Sequence, residues 1–202
     1  MNMRKYLGEV NHAPVLALTL VIAAGVGFSA GNLGNSGNGM DSGLEWSNQI
    51  TIYKNGEQID QFHNTLTNQG EDYIAGKLFN ETANTKNTTK NFAWIALGNG
   101  TGVNPSFTQL GGGSGEIHTA NLSRALADTY SYSNPAYTLK KTFTANLGSG
   151  NPSSIKVNTT GLYFASYSTD QTSLISGGNF TSATLKDGDK ITVTQKITIR
   201  GK

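Results

Sequence analysis

A tight-turn signal, Asp187-Gly188-Asp189, stands in front of a strictly alternating segment from Lys190 to Arg200. Ile191, Val193, Ile197 and Ile199 fall on one face, and Thr192, Thr194, Lys196 and Thr198 on the other. That is the two-residue period of a half-buried antiparallel strand, so the chain must supply a sheet for it to join. No cluster of acids, bases or metal ligands competes with this pattern, and function has to be argued from architecture and location.

Further segments repeat the period. Leu44, Trp46, Ile50 and Ile52 share a face of a strand from Leu44 to Tyr53, and Asn55-Gly56 supplies the positive φ values of a two-residue hairpin turn before a return strand, Gln58 to His63. One helix is expected after Asn68 as cap, with Glu71 near its positive end and Ile74/Leu78 and Ala75/Phe79 as i,i+4 pairs. The apolar run Asn91–Leu97 reads as the middle of a sheet, and the Gly-rich stretch Gly98–Ala120 as a surface loop. Strands also read at Ala136–Ala145, Ile155–Val157 and Gly161–Tyr167. Many short strands with one helix predict a mainly β protein, an antiparallel β-sandwich with one short helix over residues 44–202.

The first 43 residues have a different character. Arg4 and Lys5 precede an apolar run, Pro14 to Phe28, that ends in small residues around Ser29-Ala30-Gly31. The order reads as an export signal over residues 1–29, cut next to Ala30, with a retained N-terminal hydrophobic helix as the alternative because the run lies near the ~18-residue minimum for a span. Residues 30–43 read as a flexible Gly/Asn-rich arm able to act as a donor strand, with Leu33, Met40, Leu44 and Trp46 as its apolar contacts. For Leu44 and Trp46 the equal alternative is that they only extend their own first hairpin.

Charge and composition exclude several functions. Only 14% of the residues are charged, the net charge is +2, and the basic residues are scattered, which argues against nucleic acid as a partner. The chain has no cysteine, and therefore no disulfide or thiolate chemistry. His12, His63 and His118 lack ligand spacing, Asp187 and Asp189 are too few for a calcium site, and Gly98-Asn99-Gly100-Thr101-Gly102 lacks the Lys-Ser/Thr of a phosphate loop. No catalytic residue, metal site or cofactor is expected. Asn80, Asn87, Asn99, Asn121, Asn158 and Asn179 each open an Asn-x-Ser/Thr sequon, which export would expose to glycosylation.

Several short patterns carry a resemblance. His63–Ala75, with Asn68, Gly70 and the helix that follows, resembles the helix opening of a β-sandwich domain of phage and prophage structural proteins. Trp94-Ile95-Ala96-Leu97-Gly98-Asn99-Gly100-Thr101 is similar to that family's aromatic, aliphatic, Gly-x-Gly-Thr strand and turn. Leu122-Ser123-Arg124 is similar to its Leu…Glu…Arg step without the acid, and Thr160-Gly161-Leu162-Tyr163 with Leu174-Ile175-Ser176 resembles a further segment. With the export signal and arm, the chain also looks like secreted subunits of archaeal threads and bundling pili. The resemblance implies a structural subunit that polymerises with itself into an extracellular filament, by strand donation between copies, for adhesion or biofilm. Its membrane contact would be confined to export, and surface glycans would be a further partner. The alternatives are a virion tail or spike protein and a type IV pilin-like subunit with a retained helix.

Overall fold

A computed structural model describes residues 44–79, 93–100, 102–113, 115–148 and 152–201. The export signal, the arm with Leu33 and Met40, His12, and the sequons at Asn80 and Asn87 lie outside the described residues. Ten strands and one helix follow in the order β1 (Leu44–Lys54), β2 (Glu57–His63), β3 (Thr65–Leu66), α1 (Asn68–Phe79), β4 (Trp94–Gly98), β5 (Ala125–Leu126), β6 (Thr129–Ser133), β7 (Ala136–Thr144), β8 (Ile155–Tyr163), β9 (Leu174–Leu185) and β10 (Lys190–Gly201).

Two five-stranded antiparallel sheets form a sandwich, as the alternation requires. One has the order β2-β1-β10-β7-β6 and the other β3-β9-β8-β4-β5. The first described strand is zipped to the last over its whole length, from Leu44 opposite Gly201 to Lys54 opposite Ile191. Leu44 and Trp46 therefore belong to this chain's own first sheet, Trp46 opposite Ile199. Asn55 and Gly56 take φ 50° and 90°, the mirror-image turn that matches strand twist. Ile50, Ile52, Leu139, Phe143, Ile191 and Val193 of the first sheet bury against Ile95, Leu97, Val157, Leu162 and Leu185 of the second in one core. Gln195 interrupts the apolar face of β10 yet is fully buried; its Oε1 accepts from Asn48 Nδ2 at 3.0 Å.

The terminal strand is graded along its length. Ile197 is 3% exposed and Ile199 36%. A carboxylate at position 197 would be stranded in the core, so Ile197→Asp should cost about 4 kcal/mol or more, whereas Ile199→Asp should stay within about 1 kcal/mol. Urea midpoints of the two variants check this.

Three readings change in detail. The helix is capped one residue early: Thr67 Oγ1 accepts from Gly70 N–H at 3.0 Å, while Asn68 is exposed inside the first turn. Thr67 wins because its hydroxyl also donates to the carbonyl oxygens of Leu174 and Ile175, tying the cap to β9. The segment 155–167 holds one strand, β8, ending at Tyr163, in place of two. The 98–120 stretch is no mere surface loop, since Leu110 is fully buried with Ala96, Tyr163 and Leu174, with Val103 and Phe107 packed alongside. That cover is why β4, an inner strand of the second sheet, reads as a nearly continuous apolar run.

Candidate assembly surface and the buried arginine that supports it

A protein of this architecture has four sheet edges to manage. Two are only two residues long, β3 and β5. The third, β2, carries Glu57 and Asp60 and lies opposite a bulge at Ile52/Tyr53. Asp60 is also engaged: its Oδ2 accepts from the N–H of Thr181 on β9 at 2.6 Å. The fourth edge is β6, Thr129-Tyr130-Ser131-Tyr132-Ser133, with no charge, proline or bulge, and with every residue exposed.

The register of β6 makes this exposure informative. Tyr130 stands opposite Leu139 and Tyr132 opposite Tyr137, on the side that β7 turns toward the core. Leu139 is fully buried, yet Tyr130 and Tyr132 are 63% and 71% exposed. The inward face of β6 is thus left uncovered by the described residues. Beside it lies a groove of about 470 Å³ lined by Ala93, Trp94, Leu126, Tyr130, Tyr137, Phe164, Ala165, Ser166 and Thr169. None of these side chains carries a charge. Leu126, 49% exposed, is one of the few large apolar residues left at the surface.

Asp128 ends the open edge at its other end. β6 stops opposite Lys140, and beyond it Asp128 Oδ2 accepts from Thr142 N–H at 2.7 Å while Oδ1 meets Lys141 Nζ at 2.6 Å. Desolvation works against the charged form of Asp128, but the Lys141 and Thr142 hydrogen bonds prevail and hold its carboxyl below the ordinary value. A carboxylate with a lowered folded pKa adds stability above its unfolded value and loses it as pH falls through the folded one. Asp128→Asn should therefore lower the urea midpoint at about pH 7 and make no difference at about pH 2, a convergence that paired denaturation curves would read.

Behind the groove the loops are locked by Arg124. Its guanidinium is buried, with Nε on Glu116 Oε1 at 3.0 Å and Nη2 on Glu116 Oε2 at 2.7 Å. Nη1 reaches the carbonyls of Ala165 and Asp170 and the Ser173 hydroxyl, and Nη2 also reaches the Gln171 carbonyl. The plane sits 3.4 Å over the centre of the Tyr163 ring. All five N–H donors are spent inside the protein, so this arginine offers nothing to an anionic ligand. Its counter-ion, Glu116, lies eight residues earlier in the chain. Burial, followed by the Glu116 charge, pushes the Tyr163 phenol far above its usual range, and its oxygen accepts from Leu110 N–H at 2.9 Å. The result is a fixed scaffold under residues 163–173, which form one wall of the groove.

The remaining sequence-read positions are dispersed. Asn99, Asn121 and Asn179 are exposed, whereas Asn158 is half-buried with its Oδ1 inside the protein. His63 is exposed at the end of β2, and His118 stacks on Tyr167 at 3.9 Å with Nδ1 3.9 Å from Glu116. Asp187 and Asp189 serve their turn: Asp187 Oδ1 accepts from Leu147 N–H at 2.6 Å and Asp189 Oδ2 from Lys186 N–H at 2.9 Å. Among the described residues no three potential metal-ligating groups converge, and no helix is long and apolar enough to cross a membrane. The sequence reading missed the β6 edge, Arg124's role and the groove. Comparison with protein-family models, curated proteins and solved structures found no match for this chain.

Proposed function

We propose that the chain is a secreted structural subunit that polymerises with copies of itself into an extracellular, pilus-like filament, each copy giving a strand from its 30–43 arm to a neighbour. The observation that carries this reading is the contrast between edges. Evolved sheet proteins blunt their open edges with charge, bulges or shortness, because a bare edge recruits further strands. Among the described residues three edges are blunted and β6 is bare, as suits an edge meant to be joined. Leu44 and Trp46 are already used within their own sheet, so the donated part lies before them, around Leu33 and Met40. The Thr-, Ser- and Asn-rich surface, poor in charge, suits packing of many identical neutral copies, and adhesion or biofilm formation is the role such a filament would serve.

Electron microscopy of material sheared from native cells, labelled with antibody to this chain, tests the reading. Labelled filaments are the expected result. The chain found only within purified virions, or only as a monomer, would overturn it.

A further inference from the structure

We infer that the acceptor for the donated strand is the β6 edge together with the groove beneath it, and that its occupant is the segment around Leu33 of a second copy, added antiparallel to β6. The inference rests on the assembly reading above and adds the place, the occupant and the direction. Tyr130 and Tyr132 occupy inward register positions yet remain mostly exposed. In a sandwich such positions are normally covered by the opposite sheet. The adjoining groove is neutral, and Leu126 and Phe164 in its wall complement aliphatic side chains better than charged ones.

A symmetrical pairing of β6 with β6 of another copy is the simpler occupant, but it falls short on area. Five residues on each side reach ~17 Å of strand, too little to approach the ~1,000 Å² that a stable interface needs. The 30–43 arm, fourteen residues, gives a longer occupant. Leu33 is also the first large apolar side chain after the export signal, set among Gly, Asn and Ser that pack into nothing by themselves.

Direction decides between a chain's own arm and that of a neighbour. Every strand pair in both sheets is antiparallel. β6 runs toward the end of the sheet where β1 begins, since Ser133 pairs with Ala136, Ala136 with Thr198, and Leu44 with Gly201. An arm antiparallel to β6 would leave it at the Thr129 end. From there its own Leu44 lies four strand spacings across and about seven residues along, a direct path of ~31 Å. The chain from Leu33 to Leu44 spans at most ~40 Å, and several residues are consumed in pairing, so too little remains to round the sheet. A second copy has no such constraint.

The absence of cysteine makes the test clean. Full-length chains carrying Leu33→Cys and, separately, Tyr130→Cys are mixed and treated with a short bis-maleimide, and filaments are scored by electron microscopy in parallel. A covalent dimer between the two variants is expected, reduced at least tenfold when the acceptor also carries Leu126→Asp, an exposed position whose change leaves the core intact. Crosslinking only when both cysteines sit on one chain, unchanged on dilution, would overturn the inference in favour of the chain's own arm. No crosslink in either design would overturn it outright. Filaments without the crosslink would spare the assembly reading and remove this acceptor, while a crosslinked dimer without filaments would keep the acceptor and remove the filament.

Discussion

Replacing Arg124 with methionine should cost about 3–5 kcal/mol, which for a domain of ordinary stability leaves little folded protein at physiological temperature. The loss has two parts. Glu116, whose side chain is 4% exposed, would remain as a buried charge without its counter-ion. The carbonyls of Ala165, Asp170 and Gln171 would also lose their common donor. Lysine should not rescue, since an ammonium has three donors and no plane to lie on the Tyr163 ring. The double change Arg124→Met with Glu116→Leu separates the parts. It removes the stranded charge, so it should recover some of the loss but not all, because the Ala165 and Gln171 carbonyls still lack the arginine's N–H groups. Urea midpoints of the single and double variants are the measurement, and full recovery in the double variant would show that the arginine does no more than neutralise Glu116.

The second large effect should fall on assembly alone. Tyr130→Lys places an ammonium at an inward position of β6 that is 63% exposed in the single chain. The isolated subunit should tolerate it within about 0.5 kcal/mol, as exposed positions do. Once a strand is added, the same ammonium must be desolvated without a partner, because no acidic side chain lines the groove. Filament yield should drop at least tenfold with the urea midpoint unchanged, read by sedimentation and by denaturation of the soluble fraction. Tyr130→Phe, which keeps the ring and adds no charge, should assemble normally.

The parts of the fold that could be read in the sequence are those with local signals. β1, β2 and β10 alternate cleanly, and Asn55-Gly56 and Asp187-Gly188 punctuate them in the conformations those residues favour. β9 was hidden because Gly177-Gly178 and Asn179 look like a turn. In the sheet these glycines make room: a Cβ on Gly178 would lie 2.6 Å from the Phe62 ring, and one on Gly177 2.8 Å from the Thr160 carbonyl. β6 escaped notice for the opposite reason. Thr-Tyr-Ser-Tyr-Ser has the strand period but no aliphatic residue, since its inward side chains have no core to fill within one chain. The scaffold behind the groove was equally out of reach, because Glu116, Arg124, Tyr163 and residues 165–173 meet only after the second sheet has formed and the 98–120 excursion has folded over it.

Deletion of Ala30–Gly43 from the otherwise intact chain tests the central claim most directly. Leu44 onward forms the whole sandwich, with β1 paired to β10 along its length, so the shortened protein should fold with the urea midpoint of the parent. Without the arm it has no strand to give, and electron microscopy should find soluble monomers and no filaments under conditions in which the full chain assembles. Filaments of normal yield and heat resistance from the shortened chain would contradict the account, because they would show that subunits join without strand donation from the arm.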